Sequence, residues 1–292
     1  MRDALAAAAL LSAHLVLAAA VAGQDRDGPE PVRLDVMTFN IRTAAGRDGA
    51  NVWPNRKALV AETIARSSPD VVGLQEALEE QIEFLASRLP EYRWLGVDRG
   101  LNGGRGLSEA TPIFYRHREL TPIESGTFWI SETPAEPSRG RRRSSRIVTW
   151  ARFYHHGTGQ QLVVYNTHFS LRQGAGHLRG TELINERIAK LPEGSAVVAM
   201  GDFNAVAERS ETWTAATAHG LRDAWVVAKE RRGPAITANG FGPPPEGWDG
   251  RIDWILVGGR VSVLAAETIV HSREGRFPSD HYPVLARLEI GR

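Results

Sequence analysis

The chain has 292 residues, 35 Lys and Arg against 34 Asp and Glu for a formal net charge of +1, and no cysteine. So even a balance excludes a global positive field for capturing nucleic acid, and any attraction for phosphate must be local. The missing cysteine excludes disulfides, thiolate metal sites and cysteine nucleophiles, which leaves carboxylate, imidazole, hydroxyl and amide groups for chemistry.

In chain order, Arg2 precedes an apolar, Ala-rich stretch over residues 4–22 that ends in Ala20-Val21-Ala22. A basic start, apolar middle and small-x-small end predict a signal peptide over residues 1–22 and a secreted or periplasmic product. An uncleaved anchor is the competing reading, but the stretch carries His14 and lacks a basic stop-transfer flank. A polar linker over residues 23–31 follows, then a single domain over residues 32–292.

Apolar runs at 34–39, 71–74, 162–165 and 196–200 have strand length and continuous β-branched character, which predicts strands buried on both faces. Between them lie helical stripes. Leu59, Val60 and Ile64 stop before Pro69; Leu78, Ile82, Leu85 and Leu89 close at Pro90; Ile184, Ile188 and Leu191 close at Pro192. Ser210 is placed to cap a fourth helix that Gly220 would end. Alternating strands and helices with no compositional break predict one α/β domain. Three Gly-, Pro- or Arg-rich loops, at 96–110, 131–146 and 239–251, have the length of functional or disordered loops.

Polar residues sit just past the predicted strands, where α/β sheets bind ligands. These are Asn40, Glu76, His168, the pair Asp202 and Asn204, and the pair Asp280 and His281; Asp253 lies inside a further apolar run. A buried carboxylate such as Asp253 must be paired. Each of the others has a plain reading as a turn cap, an exposed acid or a structural histidine, but the set together is oxygen-rich and has no serine or cysteine nucleophile. It suits a hard cation, Mg²⁺ or Mn²⁺.

The blocks Thr38-Phe39-Asn40, Leu74-Gln75-Glu76, Asn166-Thr167-His168, Gly201-Asp202-Phe203-Asn204, Arg251-Ile252-Asp253 and Ser279-Asp280-His281 resemble, in order, the signatures of the endonuclease/exonuclease/phosphatase (DNase-I-like) superfamily. The resemblance implies a four-layer α/β sandwich, two packed mixed β-sheets flanked by helices. It implies a secreted metal-dependent phosphoesterase, of phosphodiesterase, nuclease or phosphatase type, with diesters favoured over monoesters. It also implies roles: Glu76, Asn40 and Asp280 at the metal; Asp202 and Asn204 orienting the attacking water, with Asn40 and Asn204 contacting phosphate. His281 paired with Asp253 would serve as general base or phosphate-polarising imidazole. His168 would stabilise the developing charge, steadied by Glu109.

The segments Pro112-Ile113-Phe114-Tyr115-Arg116, Ser125-Gly126-Thr127-Phe128-Trp129 and Thr149-Trp150-Ala151 are similar to a bacterial, secreted branch of that superfamily. Two departures touch substrate contacts: an Arg-rich segment, residues 140–146, where that branch often has Gly-Trp-Asp, and Phe169-Ser170-Leu171 where it often has Asp-His. Within the Arg-rich segment, Arg142, Arg143 and Arg146 are candidates for holding phosphate. The expected partner is a phosphate ester: nucleic acid, a phospholipid headgroup or a small organic phosphate. The chain is expected to be monomeric, with no obligate protein partner. The alternatives are a phosphomonoesterase for a small organic phosphate, or a binding protein that kept the fold without turnover.

Overall fold

The computed structural model describes residues 31–100, 108–137, 146–243, 246–247 and 250–291. The expected signal peptide, most of the linker, and Arg142 and Arg143 lie outside the described residues. The elements run β1 (Val32–Asn40), α1 (Trp53–Ser67), β2 (Val71–Gln75), α2 (Glu79–Arg88), β3 (Tyr92–Leu95), β4 (Ile113–Arg116), β5 (Leu120–Trp129), β6 (Ile147–His155) and β7 (Gln161–His168). They continue with α3 (Ala175–Ile188), β8 (Ala196–Asp202), α4 (Glu211–Thr217), β9 (Arg222–Asp223), α5 (Ala224–Val227), β10 (Glu230–Arg232), β11 (Asp253–Gly258), β12 (Val261–Thr268) and β13 (Val284–Ile290).

The strands form two mixed sheets, ordered β10-β12-β13-β1-β2-β4-β3 and β5-β6-β7-β8-β11-β9. Both sheets are continuous apolar surfaces on two faces, and strand periodicity assigns those faces. Val36, Val71, Val164, Val198, Ile255 and Ala286 point inward and pack sheet on sheet. Met37, Phe39, Val72 and Leu74 point outward against Val60, Ile64, Ile82 and Leu85 of α1 and α2. Val163, Tyr165, Val197 and Ala199 pack against Leu183 and Ile184 of α3, and Ala216 of α4. The result is the four-layer sandwich.

Helix ends follow the local signals. Ser210 caps α4 by accepting from the Trp213 amide at 3.2 Å, and α1 begins with Pro54 in its first turn. Continuous apolar runs found the parallel pairs β1/β2 and β7/β8, each joined through a helix. The antiparallel pairs β5/β6 and β12/β13 are less evident in sequence, because half-exposed residues interrupt their apolar runs. Among the described residues no helix is long and apolar enough to cross a membrane.

One polar side chain ties the two sheets together. From β7, Asn166 Nδ2 donates to the carbonyls of Leu74 and Pro112, both at 2.9 Å, and its Oδ1 accepts from Gln75 Nε2 at 2.7 Å. Gln75 Nε2 also donates to Thr38 Oγ1 at 3.0 Å. Gly73 leaves the room this requires, since a Cβ there would lie 2.6 Å from Asn166 Oδ1. Asn166→Ala orphans buried partners on the opposite sheet and is expected to lower the unfolding free energy by about 2–5 kcal/mol in urea melts. A loss below about 1 kcal/mol would remove this staple as a source of stability.

Candidate active site

The alternation that builds the core also builds the site. Along β1 the inward positions read Val36, Thr38, Asn40; along β7, Val164, Asn166, His168; along β8, Val198, Met200, Asp202; and β11, running the other way, begins at Asp253. At one end of the sandwich the inward-facing residues therefore change from apolar to polar on both sheets at once. Within the second sheet, His168 is the register partner of Asp202, and Asp202 is the partner of Asp253. Three neighbouring strands thus present an imidazole and two carboxylates side by side.

Asp202 is the hub. Its Oδ2 accepts from Asn40 Nδ2 of the other sheet at 2.9 Å, and lies 3.5 Å from His168 Nε2 and 3.9 Å from His281 Nε2. Its Oδ1 accepts the Asn204 amide at 2.9 Å. Burial and the charge of Asp253 push its carboxyl above the ordinary range. His281 Nδ1 bonds Asp253 Oδ2 at 2.9 Å. Although burial opposes ionisation, the charges of Asp253, Asp202 and Asp280 outweigh it and hold this imidazole well above its ordinary pKa. His168 goes the other way: burial, Arg146 and Arg99 push it well down. Arg99 Nη2 donates to its Nδ1 at 3.3 Å, which places the proton of the neutral ring on Nε2, toward Asp202.

A second group lies beside Asn40. Asn40 Nδ2 also donates to Glu76 Oε1 at 3.1 Å, and Glu76 Oε2 accepts the Thr43 amide at 3.0 Å. Arg42 stands between Glu76 and Asp280, 3.9 and 3.8 Å away, while bonding Asp48 at 2.9 Å. Burial and the Glu76 charge push the Asp280 carboxyl up. Fully buried Arg56 binds the loops together by donating to the carbonyls of Ile41, Arg42, Asn51 and Pro278 at 2.5–3.1 Å. Ser279 Oγ adds a bond to the Asn40 carbonyl at 2.7 Å, holding the segment that carries Asp280 and His281 against β1.

On the far side of His168 the structure departs from expectation. Glu109 does not hydrogen-bond the ring: its Oε2 is 4.0 Å from His168 Nδ1 and instead meets Arg99 Nη2 at 2.6 Å. Arg99, with two acceptors in reach of its fork, stands where the expected carboxylate–imidazole bond would be. Arg146, at the foot of β6, donates to the His168 carbonyl at 3.5 Å. Asn204 spends its side-chain amide on the Phe169 carbonyl at 2.9 Å. Arg99, Arg42 and Arg56 were not singled out in the sequence; each is one arginine among many, and only the fold reveals which are buried.

Among the described residues, Asp202, Asp253 and His281 place ligand atoms within 4.8 Å of one another. An imidazole held in its charged form by its own carboxylate partner is a poor ligand, because metal binding requires it neutral. Asn40, Glu76 and Asp280 are the better oxygen-donor set.

The sequence profile of the Endonuclease/Exonuclease/phosphatase family matches residues 37–281, from β1 through His281. The chain belongs to the endonuclease/exonuclease/phosphatase family. Among solved structures of similar proteins, an endonuclease/exonuclease/phosphatase from Bacteroides vulgatus is 32% identical, with 89% of this chain and 100% of that one covered and a TM-score of 0.83. A mannosyl-6-phosphatase from Bacteroides thetaiotaomicron is 29% identical, with 87% and 99% covered and a TM-score of 0.79. A protein of Acanthamoeba polyphaga mimivirus is 27% identical over 168 residues, which span 52% of this chain and 59% of that protein's length. In this family member the polar cluster at the sandwich end lies within the profile match, Asn40 near its start and His281 at its close.

The Asp253–His281 bond makes a direct prediction. Asp253→Asn removes a charge that raises the imidazole, so the His281 ring should titrate at distinctly lower pH in NMR spectra. An unmoved titration would mean that Asp253 does not set its protonation.

Proposed function

We propose that the protein hydrolyses phosphate esters by direct attack of water, assisted by a divalent cation. The observation that carries this reading is Asp202, a buried carboxylate flanked by two imidazoles of opposite protonation and lying beside an oxygen-rich acid pair. No serine, threonine or cysteine nucleophile is needed for that chemistry, and the hydroxyl beside the cluster, Ser279 Oγ, is spent on the Asn40 carbonyl.

The residues fit a hard cation. Among the described residues Arg42 is the one guanidinium within ion-pair distance of both Glu76 and Asp280, at 3.9 and 3.8 Å, with the charges of Arg56 and His281 acting from farther off. The upward push on Asp280 from burial and from Glu76 marks incomplete charge compensation. Glu76, Asp280 and Asn40 would hold Mg²⁺ or Mn²⁺. When bound, the cation supplies charge neutralisation at the phosphate and acidifies water.

The chain's own groups do the rest. Asp202, pushed up toward neutrality, accepts a proton from the attacking water. His281, kept as an imidazolium by Asp253, donates from Nε2 to a phosphate oxygen, and neutral His168 offers its Nε2–H from the other side. The attacking oxygen bonds to phosphorus, the ester P–O bond breaks, and the water's proton passes by way of Asp202 to the departing alkoxide. The charged state of His281 favours its phosphate-binding role over that of general base.

Phosphate-ester chemistry is also what the Bacteroides mannosyl-6-phosphatase, by its name, performs. With Glu109 4.0 Å from His168 Nδ1 and paired to Arg99, monoesters and diesters both stand as substrates of this reading. Export is part of the proposal, supported by the basic start, apolar stretch and Ala20-Val21-Ala22 of the leader. The N-terminus of protein recovered from periplasm and medium tests it, with a start near Gly23 expected and an intact leader against it.

Turnover of phosphate esters should require Mg²⁺ or Mn²⁺ and vanish with EDTA. His281→Ala should slow it about 10²–10⁴-fold with the fold intact, and Glu76→Gln should raise the Mg²⁺ requirement at least about 10-fold. Full activity in His281→Ala would overturn the mechanism. Silence across nucleic acid, phospholipid and small phosphate esters would favour a binding protein.

The sign of the pH dependence follows from the carboxyls. Asp202 and Asp280 both titrate above the ordinary range, so they take up protons at milder acidity than surface acids do. The Mg²⁺ concentration giving half-maximal rate should therefore start to climb at milder acidity than protonation of a surface carboxylate would require. A requirement constant down to the ordinary carboxylate range would remove Asp280 from the cation's ligands.

A further inference from the structure

We propose that Arg99 and Arg146 form a two-guanidinium clamp for the terminal oxygens of a phosphate monoester, selecting dianionic monoesters over diesters. This rests on the phosphoesterase reading above and names the substrate class for the same site.

Both guanidiniums flank His168, Arg99 through its Nδ1 and Arg146 through its carbonyl. Arg99 is only 8% exposed. A buried guanidinium is stable only when its charge and donors are satisfied, and here that satisfaction is incomplete. The Nε–H of Arg99 and that of Arg146 are both buried and without a partner among the described residues. Glu109 is the one carboxylate in direct contact with Arg99. Arg146 makes no ion pair among the described residues; burial and repulsion from Arg99 lower its pKa to about 10.

Two like charges are thus held beside the reaction centre, near enough that Arg99 depresses the Arg146 guanidinium, while Glu109 pairs directly with Arg99 alone. An anion entering there meets planar forks suited to phosphate oxygens. A monoester brings two negative charges and three terminal oxygens, against one charge and two such oxygens for a diester. It therefore compensates the pair and still leaves oxygens for His281 and for the cation. The step is the hydrolysis already described, with an alcohol and inorganic phosphate as products.

Nor is the pair needed to build the fold. Arg99 is fixed through its backbone, its N–H to the Glu109 carbonyl at 3.2 Å and its C=O to Trp129 Nε1 at 3.1 Å. Among the described residues Arg146 makes one long side-chain bond. Guanidiniums that each keep a buried Nε–H without a partner among the described residues fit a ligand-binding role.

The test measures kcat/KM for p-nitrophenyl phosphate and bis-p-nitrophenyl phosphate with Mg²⁺, in wild type, Arg146→Gln and Arg99→Lys. It also titrates inorganic phosphate into the same EDTA-treated proteins by calorimetry. Charged hydrogen bonds of this kind are expected to shift the monoester-to-diester ratio about 10–100-fold downward in Arg146→Gln. Phosphate affinity of the metal-free protein should fall by a similar factor. Arg99→Lys, which keeps the charge and loses the fork, should show a smaller loss of both. A wild-type preference for the diester, or a ratio unchanged in Arg146→Gln, would overturn the clamp. If neither ester is turned over, the hydrolase reading fails by itself. The phosphate titration then still decides: equal affinity in wild type and Arg146→Gln would overturn the clamp, and a loss confined to the variants would support it.

Discussion

The carboxamide of Asn166 crosses the interior of the sandwich and is satisfied on the far side by Leu74, Pro112 and Gln75. Two apolar sheets packed by burial alone can slide or rotate with little loss, because the hydrophobic effect has no direction. A buried amide with three geometrically fixed partners removes that freedom, since any slip orphans groups that water cannot reach. Asn166 lies two residues before His168, and Gln75 one residue before Glu76. The lock therefore sits directly beneath the two halves of the site, and Asn40 can meet Asp202 across the sheets at 2.9 Å only because that register is held.

What the lock positions is a charge arrangement rather than a shape. His168 and His281 stand at similar distances from one oxygen of Asp202, 3.5 and 3.9 Å, yet one is held neutral and the other charged although burial opposes charge on both. The difference lies in what touches the outer nitrogen. Asp253 faces Nδ1 of His281, whereas a guanidinium faces Nδ1 of His168. Environment thus assigns opposite states to identical side chains, and the site gains a charged donor and a neutral one on the two sides of a single proton acceptor. Arg146 and Arg99 both add to burial in holding His168 neutral, which is why the guanidiniums beside this ring matter for substrate charge.

Much of this was legible in sequence. Strand runs ending in Asn40, His168 and Asp202 show that a polar end exists, and strand alternation places all three on inward faces once their strands are known. Asp253 stands out because an acid inside an apolar run demands a partner. The fold class follows from the motif order. Glu109 does lie beside His168, at 4.0 Å, but its shorter contact is with Arg99, because motif spacing reports which residues are near and not which bond is shortest. Arg99 and Arg56 were invisible for a different reason. An arginine gives the same local signal whether it is solvated or buried, and in a chain with 35 basic residues nothing local separates the two.

Backbone conformation adds a last constraint on the same loops. Arg42, Glu76 and Asn204 all have positive φ, of 52°, 59° and 48°. They follow the ends of β1, β2 and β8 by two, one and two residues. A left-handed conformation costs a non-glycine residue about 1–2 kcal/mol, so three of them at one rim are retained against a steady pull toward ordinary turns. Glycine would relieve that strain and forfeit the side chains, which include an acid beside Asp280 and the cation between the two. The left-handed turn swings each chain back over the strand end it has just left, bringing Glu76 within reach of Asn40 and the Asn204 amide onto Asp202. Strain at these positions and the network that repays it are therefore one feature: the strands aim the inward residues, and the reversed turns bring a second ring of groups over them.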